Sequence, residues 1–248
     1  MKRLLAGGFC LCLLLSGCVR SDHTHTEAPT ELRLELHPVT NTVTDGNGNE
    51  ILTLTCPEPE LFHSDEAIAE KIMDDLQSRI DVYRADGASL EETARNAAQD
   101  QESFIPWFAN LEGNVTRQDE TVLSIFFSYT VYSGGTHPNT GTFSVTYDSN
   151  SGEILQLFDI LKDNRSVKEL AVEVNRALAP SADELFDDYE ALVGEQFSDG
   201  NADNWYLTDT ALCFHYAPYA IGPYASGTIT AEIPFTALGD MLLLTYTN

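Results

Sequence analysis

Basic side chains are scarce in this chain. Thirteen Lys and Arg stand against 39 Asp and Glu in 248 residues, a formal net charge of −26. That shortage argues against a nucleic-acid binder, which carries a basic patch, and against electrostatic adhesion to anionic lipid. Long apolar runs are scarce too. Beyond the N-terminal stretch, no segment approaches the roughly 20 apolar residues of a spanning helix. Repeats and low-complexity tracts are absent, and no glycine-rich stretch ends in the Gly-Lys-Ser/Thr of a phosphate-binding loop. Disorder does not account for the charge, because 43% of the residues are apolar and 10% aromatic, an ordinary complement for a core. The surplus of acid therefore means either long-range attraction for cationic partners or plain solubility at a cell surface.

Cysteines number only five, and their placement is informative. Lys2-Arg3, an apolar run from Leu4 to Leu15 and the tetrapeptide Leu15-Ser16-Gly17-Cys18 have the layout of a secretory signal. The tetrapeptide matches a bacterial lipobox, which makes Cys18 the acylated N-terminus of a lipid-anchored protein. Cleavage at that point (residues 1–17 removed) takes away Lys2 and Arg3 and no acid, so the side-chain charge moves from −26 to −28. Residues 18–30 are polar and aperiodic and read as a flexible tether, in which His23 and His25 are solvated linker residues rather than metal ligands. Cys56 and Cys213 remain. In an oxidising compartment they are either a disulfide pair or two buried thiols.

Past the tether, strands and helices come in blocks. Leu32, Leu34 and Leu36 alternate with charged residues, and Val39–Asp45 and Ile51–Cys56 flank a Gly46-Asn47-Gly48-Asn49 turn, the pattern of a hairpin. A helix from Ser64 is expected to bury Ile68, Ile72, Met73, Leu76, Ile80 and Tyr83 and to end at Gly87. A second, Ala-rich helix should open on the capping box at Ser89. Phe104, Ile105, Trp107 and Phe108 surround Pro106 as a loop plug. Val115–Arg117, Val122–Tyr132, Thr142–Tyr147 and Glu153–Leu157 read as strands, with Ile125-Phe126-Phe127 in a strand covered on both faces. Capping boxes at Ser166 and Ser181 announce two more helices, the first stopped by Pro180 and the second by Gly194. Trp205–Leu207, Ala211–Tyr216, Gly227–Ile233 and Leu242–Tyr246 close the chain as strands. Blocks of this kind predict an α+β fold of two small domains, residues 31–146 and 147–248, each a mainly antiparallel sheet packed with helices.

Two stretches carry the candidate chemistry. In Tyr132-Ser133-Gly134-Gly135-Thr136-His137, the glycines bring backbone amides close to whatever sits at the turn, and His137 can exchange a proton. Pro218-Tyr219 and Gly222-Pro223-Tyr224-Ala225 form an aromatic loop that either binds a partner through Tyr or folds its rings onto its own sheet. Tyr132, Gly134, Gly135, His137, Tyr219 and Tyr224 are thus candidate ligand-binding residues. No carboxylate pair, nucleophile elbow, metal cluster or cofactor motif stands out.

The same stretches, with Tyr147-Asp148, Ser151-Gly152, Leu157-Phe158-Asp159-Ile160-Leu161, Phe214 through Tyr224-Ala225-Ser226-Gly227 and Ile233-Pro234, resemble the RsiV/PdaC-type extracytoplasmic domain family. That family is shared by lysozyme-sensing anti-sigma factors and peptidoglycan deacetylases. Residues 31–146 resemble its N-terminal domain. The resemblance implies a C-terminal domain shaped like a subdomain of the heat-shock cognate ATPase, a shape that does not by itself imply ATP hydrolysis. This chain lacks the sigma-binding segment and spanning helix of the one group, and the Asp/His metal domain of the other. The expectation is a lipid-anchored binding or sensing module facing outside the cytoplasm. Its ligand would be a cationic lysozyme-like protein or a peptidoglycan fragment. The alternative is an enzyme acting on cell-wall glycan, or an accessory domain of one, with His137 as acid or base near Tyr132 and Tyr224. Cys18 supplies a direct test of the anchor. Metabolic labelling with a fatty acid should mark the wild type and not Cys18→Ser, and a mutant that stays labelled would refute the lipobox.

Overall fold

The computed structural model describes residues 32–100, 104–163, 165–198 and 202–247. Cys18, His23 and His25 lie outside the described residues. The predicted hairpin is present as β1 (Leu32–Thr44) and β2 (Glu50–His63). Asp45 closes its turn, its carboxylate accepting from the amides of Asn47 and Asn49 at 2.8 Å each. Helix α1 (Glu66–Asp100) then crosses over to β3 (Trp107–Gln118), which pairs parallel with β2, while β4 (Val122–Tyr132) and β5 (Asn139–Asp148) follow antiparallel. The five strands lie in the order β1-β2-β3-β4-β5.

Asp65 caps α1 through the amides of Ala67 and Ile68. The expected stripe faces the sheet: Ile72, Leu76 and Ile80 are fully buried against Leu123, Ile125, Phe127 and Tyr147. Two expectations fail here. Gly87 does not end the helix and Ser89 does not open another, because α1 is continuous for 35 residues, about 50 Å of rise. Gly87 sits buried where the helix approaches β2 most closely, and a Cβ there would stand 3.1 Å from Leu54 Cδ2. That close approach outweighs the ~1 kcal/mol helix penalty of glycine. The Ser89 hydroxyl donates back to the Asp86 carbonyl at 2.6 Å instead of capping. The expected plug is also ordered differently: Trp107 and Phe108 already belong to β3, with Phe104 against the Trp107 ring at 6.0 Å and Ile105 exposed.

The second half comprises α2 (Leu157–Ile160), α3 (Arg165–Leu178), a 3-10 turn (Ala179–Glu184), α4 (Tyr189–Ser198), and a sheet of β6 (Trp205–Leu207), β7 (Ala211–Tyr216) and β8 (Ile229–Pro234). Short α5 (Phe235–Leu238) follows. Asp163, not Ser166, caps α3, accepting from the amides of Arg165 and Ser166. Ser181 opens no helix: it lies inside the 3-10 turn, which begins at Ala179 with Pro180 in its first turn, and α4 begins only at Tyr189. Gly194 lies inside α4 on its open side. Leu242–Tyr246 is not a strand: Leu242 makes one bridge to Leu161, and Leu244–Tyr246 is a 3-10 turn. Leu170, Val174, Val193 and Phe197 bury against Leu212, Phe214 and Ile233 in one core. The result is α+β and mainly antiparallel, as expected.

Glycine matters most where β4 places rings over its neighbours. Gly113 lies opposite Phe127 and Gly141 opposite Tyr129. A Cβ on Gly141 would fall 2.2 Å from the Tyr129 hydroxyl, whose ring is itself held against Tyr83 at 4.9 Å. Gly141→Ala should therefore lower stability by about 1–3 kcal/mol in urea unfolding. An unchanged midpoint would mean that Tyr129 swings aside freely.

Candidate functional site

Strand alternation gives β4 and β5 a second buried face, turned away from α1, and β6 and β7 dock on it. Phe126 meets the rings of Tyr206 at 5.3 Å and His215 at 5.1 Å. Polar groups pin the contact. The Leu207 amide donates to Ser124 Oγ at 2.9 Å, and Ser124 Oγ lies 2.8 Å from Thr146 Oγ1. Ser144 Oγ donates to the Trp205 carbonyl at 2.6 Å and sits 2.9 Å from His215 Nε2, while Thr142 Oγ1 lies 2.9 Å from His215 Nδ1. The donating hydroxyl of Ser144 leaves Nε2 as an N–H donor and Nδ1 as the acceptor from Thr142. A Ser–His pair so arranged is a strut, because the serine proton points away from the histidine. Arg117, 3% exposed, adds a third tie: it pairs with Asp119 at 2.6 Å and donates to the Tyr246 carbonyl at 2.7 Å. A polar cavity of about 310 Å³ remains beside His215, Ser144 and Asn204.

This docking brings the two predicted stretches together at one end of the molecule. Gly134, at φ +81°, lays the β4–β5 turn on the Trp107 indole, where a Cβ would stand 3.1 Å from Nε1. The turn then delivers Pro138, whose carbonyl accepts from the Tyr224 hydroxyl at 2.9 Å and from His137 Nδ1 at 2.8 Å. The His137 and Tyr224 rings meet at a tilt of 31° with centroids 4.0 Å apart, and Tyr219 continues the row 5.8 Å from Tyr224. Tyr219 is the one non-glycine residue with positive φ among those described, at +72°, and its side chain is 60% exposed. A bulky residue in that conformation carries local strain, here set by its amide donating to the Gly222 carbonyl at 3.0 Å.

Of the six predicted ligand-binding residues, then, His137, Tyr219 and Tyr224 form a row, with His137 and Tyr219 exposed and Tyr224 half-buried between them. Gly134 and Gly135 shape the turn beneath it. Tyr132 goes elsewhere, stacking on Phe108 at 5.8 Å. His137 bonds a backbone carbonyl rather than a carboxylate that would orient it as a base. Among the described residues, no cluster of His, Cys, Asp or Glu could hold a metal ion. The Cys56–Cys213 bridge is not formed; both are free thiols. Cys56 faces α1 and Cys213 faces the opposite side of the five-stranded sheet, so that sheet separates them. Burial pushes the Cys213 thiol up to about 11 and the neighbouring Tyr206 hydroxyl up to about 12. Sequence reasoning passed over His215, whose one signal was a histidine inside the apolar run Ala211–Tyr216.

Residues 158–236 match the family described as a protein of unknown function (DUF3298), and residues 46–140 match that described as deacetylase PdaC. The chain thus carries a PdaC-type region followed by a DUF3298 region. Two crystal structures of DUF3298 family proteins share its fold. The one from Bacteroides fragilis has 20% identity over 88% of this chain and 96% of its own, with a TM-score of 0.59. The one from Pseudomonas aeruginosa has 20% identity over 88% of this chain and 97% of its own, with a TM-score of 0.54. No curated protein matches the chain. In this chain, the aromatic row forms between the two matched regions: His137 comes from the first, Tyr219 and Tyr224 from the second.

His215 makes the docking sensitive to acid. Burial lowers its imidazole from 6.5 to about 4. Below pH 6.5 the unfolded chain takes up a proton that the folded chain refuses. Stability is therefore lost as pH falls from about 6.5 to 4, by about 3 kcal/mol in full. Urea unfolding at intervals across that range, compared between wild type and His215→Gln, should show a steeper decline in the wild type. Parallel curves would mean that His215 is not the group responsible.

Proposed function

We propose that this chain is a membrane-tethered, extracytoplasmic binding module that recognises a cationic envelope-active protein of lysozyme type. In this reading the row His137–Tyr224–Tyr219 is the anchor of the interface. The observation that carries it is the convergence of two sequence-distant loops into a partly exposed row of rings in contact, on a chain of net charge −26. Tyrosine rings held rigidly, one by a buried-side hydrogen bond and one by a strained turn, offer contact area at little cost in side-chain entropy. The surrounding acid supplies attraction and a fast encounter with a basic partner. Acylation at Cys18 would keep the module at the membrane while the tether lifts it clear.

Calorimetry at low salt with lysozyme, and separately with muropeptides, tests the reading. Lysozyme should bind with an affinity that falls as salt is raised, and Tyr224→Ala should weaken it by about 30-fold, the effect of one interface hot spot. Heat from muropeptides alone would move the ligand to peptidoglycan, and heat from neither would overturn the proposal. The alternative, catalysis on cell-wall glycan by His137, requires that the purified protein release a product from peptidoglycan and that His137→Ala abolish it.

A further inference from the structure

A second, larger cavity lies between the middle of α1 and the sheet. Its volume is about 890 Å³, at the upper end for a small-molecule site. It exists because the helix and the sheet are in contact at the small residues Gly87 and Ala109 and stand apart beside them. Leu54 and Cys56, on the helix-covered face of β2, are consequently only half-buried. In a close-packed layer such residues would be sealed. Tyr83 and Tyr129 form one wall, and Leu54, Leu111 and Val131 continue the apolar lining.

The mouth is apolar as well as acidic. Val39 and Val82 line it while 41% and 57% exposed, so the hydrophobic surface runs from the interior out to solvent. Three charged residues border it: Glu58, Arg84 and Asp86. Arg84 is already neutralised by its ion pair with Asp81, while Glu58 and Asp86 make no ion pair among the described residues. An occupant with an apolar body would thus meet two uncompensated carboxylates at its polar end. A carboxylate or phosphate head would be repelled there, and an ammonium would be attracted.

We propose that this cavity is a binding site for a small cationic amphiphile, an alkyl or aryl chain carrying an ammonium head. The chain lies along Leu54, Leu111 and Val131, and the head sits at the mouth between Glu58 and Asp86. The site is distinct from the row at His137 and Tyr224.

Cys56 gives a built-in reporter, because its thiol lines the cavity whereas Cys213 is buried in the other half. The secreted chain carrying Cys18→Ser is titrated by calorimetry with dodecylammonium, dodecanoate and dodecanol, each below its micelle concentration, and maleimide labelling of Cys56 is timed in parallel. Dodecylammonium should bind saturably at one site, about tenfold or more tighter than dodecanoate, and slow the labelling of Cys56. The exposed double variant Glu58→Lys, Asp86→Lys should reverse the order of the two ions. Val82→Trp at the mouth should weaken all three ligands and leave the melting temperature unchanged. Equal binding of the three in wild type and charge variant would reveal unspecific partition and overturn the proposal. So would saturable binding that leaves Cys56 labelling unaffected, or no binding at all.

Discussion

The second face of β4 and β5 is the constraint on which the rest of the molecule depends. A strand offers alternate side chains to its two sides, and here both sets must be buried: Leu123, Ile125 and Phe127 under α1, Ser124 and Phe126 under β6 and β7. The first contact is apolar and tolerant. The second mixes an aromatic contact with hydroxyl and imidazole groups that each need a partner in place. Unpaired, any of those buried groups would cost about 1–3 kcal/mol, so the polar pins define one register for the two halves where apolar packing alone would allow several.

That register is what creates the surface row. His137 hangs from a turn at the end of β4, and Tyr224 from a loop at the end of β7. Their rings lie 4.0 Å apart only because the strands behind them are locked by Ser144, Thr142 and His215. A slip of the docking would separate them. Acid sensitivity at His215 and integrity of the aromatic row are therefore two readings of one contact, which ties local titration to the shape of a distant surface.

Helix α1 shows the opposite economy. Its lower half is packed to completion on the sheet, and Tyr147 donates to Asp75 at 2.6 Å to fix its azimuth. Its middle meets β2 at Gly87 and its later turns pack through Leu90 and Ala94 on Leu52 and Trp107, and an apolar cavity remains beside Cys56. A helix that had ended at Gly87 would have left that face of the sheet open to solvent. Continuity of the helix is thus what gives the cavity its second wall.

Much of the fold was legible because its signals are local. The Asp45–Asn49 turn, the Ile72–Leu76–Ile80 stripe and the half-buried alternation of Leu32, Leu34 and Leu36 depend on neighbours a few residues away, and the periodicities survive in any context. The α+β class followed from the order of those signals. Punctuation residues misled where tertiary contact overrode them: Gly87 was retained for close approach to Leu54, Ser89 turned back onto its own helix, and Ser181 fell inside a 3-10 turn. The site divided along the same line. Residue types marked His137, Tyr219 and Tyr224 as candidates, and they equally marked Tyr132, which faces Phe108 instead. Which rings meet, that Cys56 and Cys213 lie on opposite sides of a sheet, and that His215 is a buried strut all depend on pairs separated by some 70 to 160 positions. Composition and local periodicity carry no information on such pairs. Only the docking of one sheet face on another decides them.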